Sequence, residues 1–182
     1  MSSNVRPPRL RAVVVGASLA GLSSVAVLAD RFDEVVVVER DDLPSSPRER
    51  CGVPQGRHAH ALLPCGLTRL EGWFPGLTGQ LVSDGAAYLD AGKDVLWYQG
   101  GGLRRTFVSG VKGPVASRAL IEHHVRRRAL VLPNVTLRTA GAVGATFSPD
   151  GGTVTGLELD DGTVIGADLI VDASGRPARS VR

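Results

Sequence analysis

Near the start of the chain, a short stretch bounded by glycines follows the first of two apolar runs that are rich in valine. The first run, Ala12–Val15, predicts a strand buried on both faces, and Val35–Val38 predicts a second one. Between them, Ser18–Asp30 places its apolar residues at helical spacing. All of this fits into the 28 residues 12–39, which is the length of a compact βαβ unit. The chain is therefore predicted to fold as an α/β protein with a parallel sheet.

The turn between the first strand and the helix has the sequence GASLAG. Gly16 lets the strand turn sharply into the helix, and Gly21 lets the helix and the strand pack closely. The middle position of the usual dinucleotide-binding pattern is a glycine but here is Ser18, whose hydroxyl can cap the helix or donate to a phosphate. Because a helix N-terminus stabilises anions, we predict that Gly16, Ala17, Ser18, Ala20 and Gly21 contact a pyrophosphate. A turn with a purely structural role is the alternative.

Glu39 closes the second predicted strand, 18 residues after Gly21. A carboxylate at this position can accept hydrogen bonds from both hydroxyls of an adenosine ribose. The same negative charge disfavours a cofactor that carries a 2′-phosphate. The alternative is a surface acid that pairs with Arg40. Together with the turn, Glu39 predicts a nucleotide site.

The composition narrows the classes of partner. The 182 residues suffice for one domain or slightly more, and 43% are apolar, so a folded core is expected. The net charge is only +3, and no long basic run with interleaved aromatic residues occurs, so we do not expect nucleic-acid binding. We find neither a secretory signal nor an apolar run of membrane-spanning length, and we therefore expect a cytoplasmic protein with no stable membrane association.

The cysteines and histidines do not form a metal pattern. Cys51 and Cys65 are 14 positions apart, which matches neither a zinc site nor a redox pair. His58 and His60 supply two candidate ligands with no third nearby. No metal is therefore expected, and no Ser-His-Asp arrangement suggests hydrolysis.

The rest of the chain alternates irregular segments, helices and short strands. Residues 1–10 are predicted to be a flexible lead-in, and the proline-rich residues 41–56 an irregular segment. Leu62–Trp73 predicts a helix, and a second helix is predicted to follow the N-cap Ser117 and to end near Leu130. The predicted strands of residues 85–108 include Val95–Tyr98 and Arg105–Val108. Later strands joined by tight turns are predicted at Val135–Arg138, Ala142–Phe147, Thr153–Leu159, Thr163–Ile165 and Asp168–Asp172.

Three sequence stretches carry a resemblance to a known family. They are RCGVPQGRHAHALL at residues 50–63, SRALIE at 117–122 and ADLIVDASGR at 167–176. Over residues 12–176 the chain resembles the single-component FAD-dependent monooxygenases, and within them it is most similar to bacterial enzymes that epoxidise polyketide precursors of polyether antibiotics. The resemblance implies a Rossmann-like FAD-binding domain of the glutathione-reductase type, with a parallel sheet plus a small antiparallel meander. That domain would span residues 11–182 and stop before the family's second flavin motif and most of its substrate domain.

The resemblance also implies an activity. NAD(P)H would reduce the bound FAD, and O2 would add at flavin C4a to give a hydroperoxide that transfers one oxygen atom to an alkene or an aromatic ring. The substrate would be a small apolar molecule, and a missing C-terminal segment or a partner chain would complete the protein. Two alternatives remain, namely a flavin-dependent reductase of an isoprenoid-type substrate and a nucleotide-binding fragment without turnover.

The resemblance assigns further cofactor contacts but no catalytic residue. Arg40 would lie beside the adenine. The other implied contacts are near the phosphates or the ribityl chain (Arg50, Arg118), near the flavin ring (Arg57, His58) and near the nucleotide half (Asp172, Gly175).

Overall fold

The computed structural model describes residues 9–50 and 58–175. The elements are β1 (Arg11–Val15), α1 (Leu19–Leu28), β2 (Glu34–Glu39), β3 (Ala59–Ala61), α2 (Pro64–Trp73), α3 (Leu77–Ser83), β4 (Ala87–Asp90), β5 (Tyr98–Gln99), β6 (Gly102–Leu103), β7 (Lys112–Ser117), α4 (Arg118–Ala129), β8 (Val135–Thr139), β9 (Ala142–Phe147), β10 (Val154–Leu159), β11 (Val164–Gly166) and β12 (Leu169–Asp172). The chain divides into two compact units. The parallel-sheet unit contains the described residues up to 43 and from 126 onward, and the antiparallel-sheet unit contains those from 44 to 125.

Four parallel strands form the sheet of the first unit, in the order β12-β1-β2-β8. In chain order this is fourth, first, second, third. Read from the other edge it is 3-2-1-4, the order of the first four strands of a Rossmann sheet. β1 pairs with β2 from Arg11 to Val15 and with β12 from Ala12 to Val15. The order reverses at β1, so the carboxyl ends of β1 and β12 flank the point where such sheets bind ligands. The predicted α/β fold with a parallel sheet is confirmed.

The alternation of side chains along the strands builds a core on each face of this sheet. One buried cluster joins valines of β1 and β2 to two leucines of β10 and to the alanine that follows β11. Its members are Val13, Val15, Val36, Val38, Leu157, Leu159 and Ala167. Helix α1 contacts β1, β2 and β12. On the other side of the cluster, β9, β10 and β11 pair in an antiparallel sheet of three strands. The predicted small antiparallel meander is therefore confirmed, and it covers one face of the parallel sheet.

The antiparallel-sheet unit contains the ladder β3-β7-β4 and the two-residue ladder β5-β6. Helix α4 begins directly after β7, and the Leu120 N–H donates to Ser117 Oγ at 3.2 Å. Ser117 thus caps the helix as predicted. In β7, an added Cβ on Gly113 would lie 2.1 Å from the Leu62 carbonyl oxygen, so the close approach of that backbone requires glycine.

Several predictions of local structure are wrong. Arg105–Val108 is not a strand, because the backbone of this segment bonds elsewhere: the Phe107 N–H donates to the Gly92 carbonyl at 3.1 Å. In Val95–Tyr98, only Tyr98 belongs to a strand. The structure adds three elements that were not predicted, α3, β3 and β7. Of the predicted lead-in, residues 1–8 lie outside the described residues, as do 51–56 of the irregular segment.

Candidate functional site

The glycine turn follows β1 at the carboxyl edge of the parallel sheet. Gly16 has φ +99°, and its N–H donates to the Val38 carbonyl of β2 at 2.7 Å. An added Cβ would lie 2.6 Å from the carbonyl oxygen of Ala173, just after β12. Both the left-handed backbone and this close approach therefore require glycine at position 16.

Gly21 lies in the first turn of α1, and an added Cβ there would come within 1.8 Å of the Gly16 carbonyl oxygen. The strand and the helix can approach this closely only because Gly21 has no side chain. Ser18 is the N-cap of α1 and has an extended backbone, but its hydroxyl makes no capping hydrogen bond to the helix. Of its two predicted uses, capping is thus wrong, and donation to a phosphate stays a prediction.

Glu39 ends β2 beside the turn, and its side chain is directed toward the turn. Its Oε2 accepts a hydrogen bond from the Ala17 N–H at 2.9 Å, and its Oε1 accepts one from the Asp41 N–H at 3.1 Å. The residue is buried, with 8% of its surface exposed. A buried carboxylate needs hydrogen bonds of this kind, and they fix the Glu39 side chain against the middle of the glycine turn. The neighbouring Arg40 is exposed, and its Nε lies 3.8 Å from Asp41 Oδ1.

The end of β12 provides the other side of the switch point. Asp172 is in register with Val15, and the Ala173 N–H donates to the Val15 carbonyl at 2.8 Å. The Asp172 Oδ1 accepts hydrogen bonds from the N–H and the hydroxyl of Ser174, at 2.9 and 2.6 Å. Gly175 follows with φ +82°. The chain therefore leaves β12 in a tight polar turn next to the glycine turn.

Nine of the predicted contact residues thus lie at or near one edge of the parallel sheet, at the carboxyl ends of β1, β2 and β12. They are Gly16, Ala17, Ser18, Ala20, Gly21, Glu39, Arg40, Asp172 and Gly175. This edge combines backbone amides and the N-terminus of α1, which suit an anionic phosphate, with a buried carboxylate, which suits a diol. The donor set fits a dinucleotide such as FAD.

The remaining described candidates belong to the antiparallel-sheet unit. Arg50 Nη2 lies 3.4 Å from Glu122 Oε1, and each of these two side chains is only 5% exposed. Arg118 is the first residue of α4, and its N–H donates to the carbonyl of the exposed His58 at 3.3 Å. Arg57, like Cys51, lies outside the described residues. The structure thus pairs Arg50 with Glu122, a carboxylate that was not among the predicted site residues. The signal that could have identified Glu122 is its position one helical turn after Arg118, which was among them.

Two negative findings concern the described ranges 9–50 and 58–175. They contain no group of three or more His, Cys, Asp or Glu side chains arranged to hold a metal ion. Within the same ranges, no helix is both long and apolar enough to cross a membrane.

Comparisons of sequence give one match to a family model and one to a curated relative. The model of the tryptophan halogenase family matches residues 116–181, which is less than half of the chain. The protein Rv3254 of Mycobacterium tuberculosis is 36% identical over 98% of this chain, and the match covers 40% of that protein. The chain thus spans well under half the length of this curated relative.

Comparisons of structure identify the fold. The oxygenase of 2-methyl-3-hydroxypyridine-5-carboxylic acid matches 95% of this chain with a TM-score of 0.66 at 23% identity, over 41% of its own chain. PqsL, a probable FAD-dependent monooxygenase from Pseudomonas aeruginosa, matches 94% with a TM-score of 0.71 at 18% identity, over 44% of its own chain. The chain has the fold of these oxygenases. The Diels-Alderase PyrE3 of pyrroindomycin biosynthesis also shares it, with a TM-score of 0.60, 22% identity and 92% of this chain covered, over 33% of its own.

Proposed function

We propose that this chain binds FAD at the edge of its parallel sheet and is the FAD-binding part of a flavin-dependent monooxygenase. The observation that supports FAD binding best is the Glu39 carboxylate. It is buried at the end of β2 and is held by the Ala17 amide in the middle of the glycine turn. This contact supports the proposal, because a dinucleotide needs a turn that can hold its phosphates close to an acid that can bind its ribose diol.

Each residue of this edge has a proposed part. The backbone of residues 16–21 and the N-terminus of α1 would hold the pyrophosphate, with the Ser18 hydroxyl as a further donor. Glu39 would accept hydrogen bonds from the adenosine ribose, and Arg40 would lie beside the adenine. The turn Asp172–Gly175 would border the nucleotide half. From the sequence resemblance we also keep Arg50 and Arg118 as contacts of the phosphates or the ribityl chain, and Arg57 and His58 as neighbours of the flavin ring.

The proposed reaction belongs to the complete protein, because the chain matches less than half the length of its relatives. NAD(P)H would supply the electrons, and O2 the oxygen atom that is inserted into an apolar alkene or aromatic substrate. When reduced, the flavin supplies the activation of O2, while the protein orients it and excludes water. Epoxidation of a polyketide is the specific form of this proposal, and the fold shared with two oxygenases favours oxygen transfer in general.

Titration of the purified chain with FAD tests the cofactor proposal. Binding should give a flavin spectrum that stays with the protein through gel filtration and should raise the melting temperature as the FAD concentration rises. NAD⁺ is the matched control, because it carries the same adenosine diphosphate half as FAD but no flavin. The comparison of the two ligands therefore isolates the contribution of the flavin half to binding. A chain that remains colourless and shows no thermal shift with excess FAD would contradict the proposal.

A flavoprotein without oxygen transfer is the second candidate, since a Diels-Alderase has the same fold. This class includes the flavin-dependent reductases of isoprenoid-type substrates and a purely nucleotide-binding part. NAD(P)H oxidation and O2 uptake by the complete protein, with and without a polyene substrate, separate the candidates. Oxygen uptake that the polyene stimulates supports the monooxygenase, whereas reduction of the substrate under anaerobic conditions supports the reductase.

A further inference from the structure

Helix α4 carries a glutamate at a position where its neighbours in sequence are buried. Glu122 is 4% exposed, and the flanking residues Ile121 and His123 are 0% and 7% exposed. An acidic side chain is almost never buried to this extent without a group that compensates its charge. That group is Arg50, whose buried side chain places Nη2 3.4 Å from Glu122 Oε1. The fold brings the two residues together from positions 72 apart.

The stability of the fold alone is a weak reason for this buried ion pair. Removing a guanidinium and a carboxylate from water can cost more free energy than their attraction provides. Apolar side chains of similar volume often make a protein equally stable or more stable. On the same helix, the fully buried Ile121 and Val125 are apolar. A buried pair in such surroundings is better suited to hold one charged group in a defined orientation.

Helix α4 holds two of the residues that are proposed to contact the cofactor. Its first residue, Arg118, donates its backbone N–H to the His58 carbonyl at 3.3 Å. Glu122 lies one helical turn later on the same side of the helix, and it contacts Arg50. Under the proposed function, Arg50 contacts the phosphates or the ribityl chain and His58 lies near the flavin ring. The first turns of one helix would thus fix both contacts.

We propose that Glu122 is a positioning residue, which holds the Arg50 guanidinium in the orientation that binds FAD and does not itself touch FAD. A guanidinium carries several N–H donors in a planar fork, so it can bind a carboxylate on one side and a ligand oxygen on another. Without its acid, the long arginine side chain would have to be ordered when FAD binds, and this ordering weakens binding. The inference rests on the proposed function, because it adds a residue to the same cofactor site.

Titration calorimetry of this chain with FAD tests the proposal through a double-mutant cycle. Glu122→Gln should weaken FAD binding roughly three- to ten-fold, the effect of having to order one long side chain. In an Arg50→Gln background the same substitution should have no effect, because Glu122 acts through Arg50. Glu122→Asp keeps the charge on a shorter side chain and should recover part of the affinity.

Replacing both partners with apolar side chains separates positioning from a purely structural role. Arg50→Met/Glu122→Leu should restore the melting temperature that Glu122→Gln lowers, yet it should bind FAD as weakly as Arg50→Gln does. Asp84→Asn is the matched control, because Asp84 contacts the same helix through His124 at 2.9 Å and has no proposed contact with the cofactor. This control should leave FAD affinity unchanged.

Several results would overturn the positioning role while the unsubstituted chain still binds FAD and the proposed function stands. They are unchanged binding in Glu122→Gln, an equal loss in Asp84→Asn, and a loss that persists in the Arg50→Gln background. Tighter binding in Glu122→Gln would mean that Glu122 competes with FAD for the guanidinium. Recovery of FAD affinity in the apolar pair would show that the pair only stabilises the fold. Failure of the unsubstituted chain to bind FAD would contradict the proposed function, and this inference with it.

Discussion

Glu39 acts on the candidate site both through its charge and through its contacts. Its carboxylate accepts the Ala17 N–H of the glycine turn and the Asp41 N–H that follows β2. One side chain thus holds the turn and, in the proposed complex, supplies the negative charge to which the ribose hydroxyls donate. A substitution of Glu39 can therefore weaken FAD binding in two ways, by loosening the glycine turn or by removing a contact with the ligand. The experiment has to separate these two effects.

The first prediction is that Glu39→Gln lowers FAD affinity about 10- to 100-fold, because a hydrogen bond to a charged group contributes about 1.5–3 kcal/mol. Isothermal titration with FAD measures the loss. ADP and 2′-deoxy-ADP identify its cause: the wild-type chain should prefer ADP, and the variant should lose that preference. Glu34→Gln is the matched control, since Glu34 lies at the other end of β2 and contacts Arg11 at 2.8 Å. An unchanged preference for ADP in Glu39→Gln would show that Glu39 acts only on the turn.

The second prediction concerns Gly16, whose φ of +99° and approach to Ala173 exclude a side chain. Gly16→Ala should lower the free energy of unfolding by at least about 1–3 kcal/mol, the usual strain for such a backbone. The clash with the Ala173 carbonyl adds to this strain. Urea unfolding followed by circular dichroism measures the change. Gly144→Ala in β9, where an added Cβ meets nothing within 4 Å, should be neutral or slightly stabilising, and an equal loss in both variants would contradict the argument.

At the scale of elements, the parts that the sequence predicted correctly are those fixed by local patterns. The apolar runs of β1 and β2, the glycine turn and the meander each satisfy their own pattern within a few residues. β7 has no such signal, because Gly113 and Pro114 disfavour a strand and its stability comes from pairing with β3 and β4. The prediction of a strand at Arg105–Val108 was wrong for the opposite reason. The apolar residues of this segment suggested a strand, but Asp90 and Gly92 bind the backbone around it. Glu122 was missed for a related reason, since its contact with Arg50 joins positions 72 apart.

The third prediction is that Asp90→Asn destabilises the loop between β4 and β7, residues 91–111, in a pH-dependent manner. The hydrogen bonds of the Asp90 carboxylate, first that of the Ser109 hydroxyl, lower its pKa well below the usual value. A carboxyl whose pKa is lowered by folding stabilises the protein above its unfolded pKa, about 3.9, and this contribution declines as the pH falls below that value. The difference in urea midpoint between the wild type and Asp90→Asn should therefore be greatest at neutral pH and shrink below about pH 4.

Asp161 provides the control for this experiment. Hydrogen bonds from Thr163, together with Arg138, lower the pKa of Asp161 to about 2, so the sign of the pH dependence is the same. The Asp161 carboxylate, however, accepts the hydrogen bonds of Thr163 within an exposed turn and does not join the two ends of a long loop. Asp161→Asn should therefore shift the midpoint less than Asp90→Asn does at neutral pH. A difference for Asp90→Asn that stays constant between pH 7 and pH 3 would contradict the assignment of its effect to the charge.

At the scale of the whole molecule, the parallel sheet is assembled from the two ends of the described chain. β1 and β2 come from residues 11–39, whereas β8 and β12 come from residues 135–172. The antiparallel-sheet unit lies between them in sequence, and α4 begins in one unit and ends in the other. Each unit has its own fully buried side chains, for example Leu157 in the first and Leu81 in the second.

These two leucines give the fourth prediction. Leu157 is 0% exposed and belongs to the cluster of the parallel sheet, and Leu81 of α3 is also 0% exposed. Replacing either with alanine should lower the free energy of unfolding by about 2–5 kcal/mol through lost burial and the resulting cavity. Because the two substitutions are chemically identical, any difference between them reflects location. Hydrogen exchange of the native protein locates the loss: Leu157→Ala should speed exchange most in β1, β2 and β12, and Leu81→Ala most in β4 and β7. Equal acceleration of both sheets by both variants would instead mean that the two units unfold as one cooperative structure.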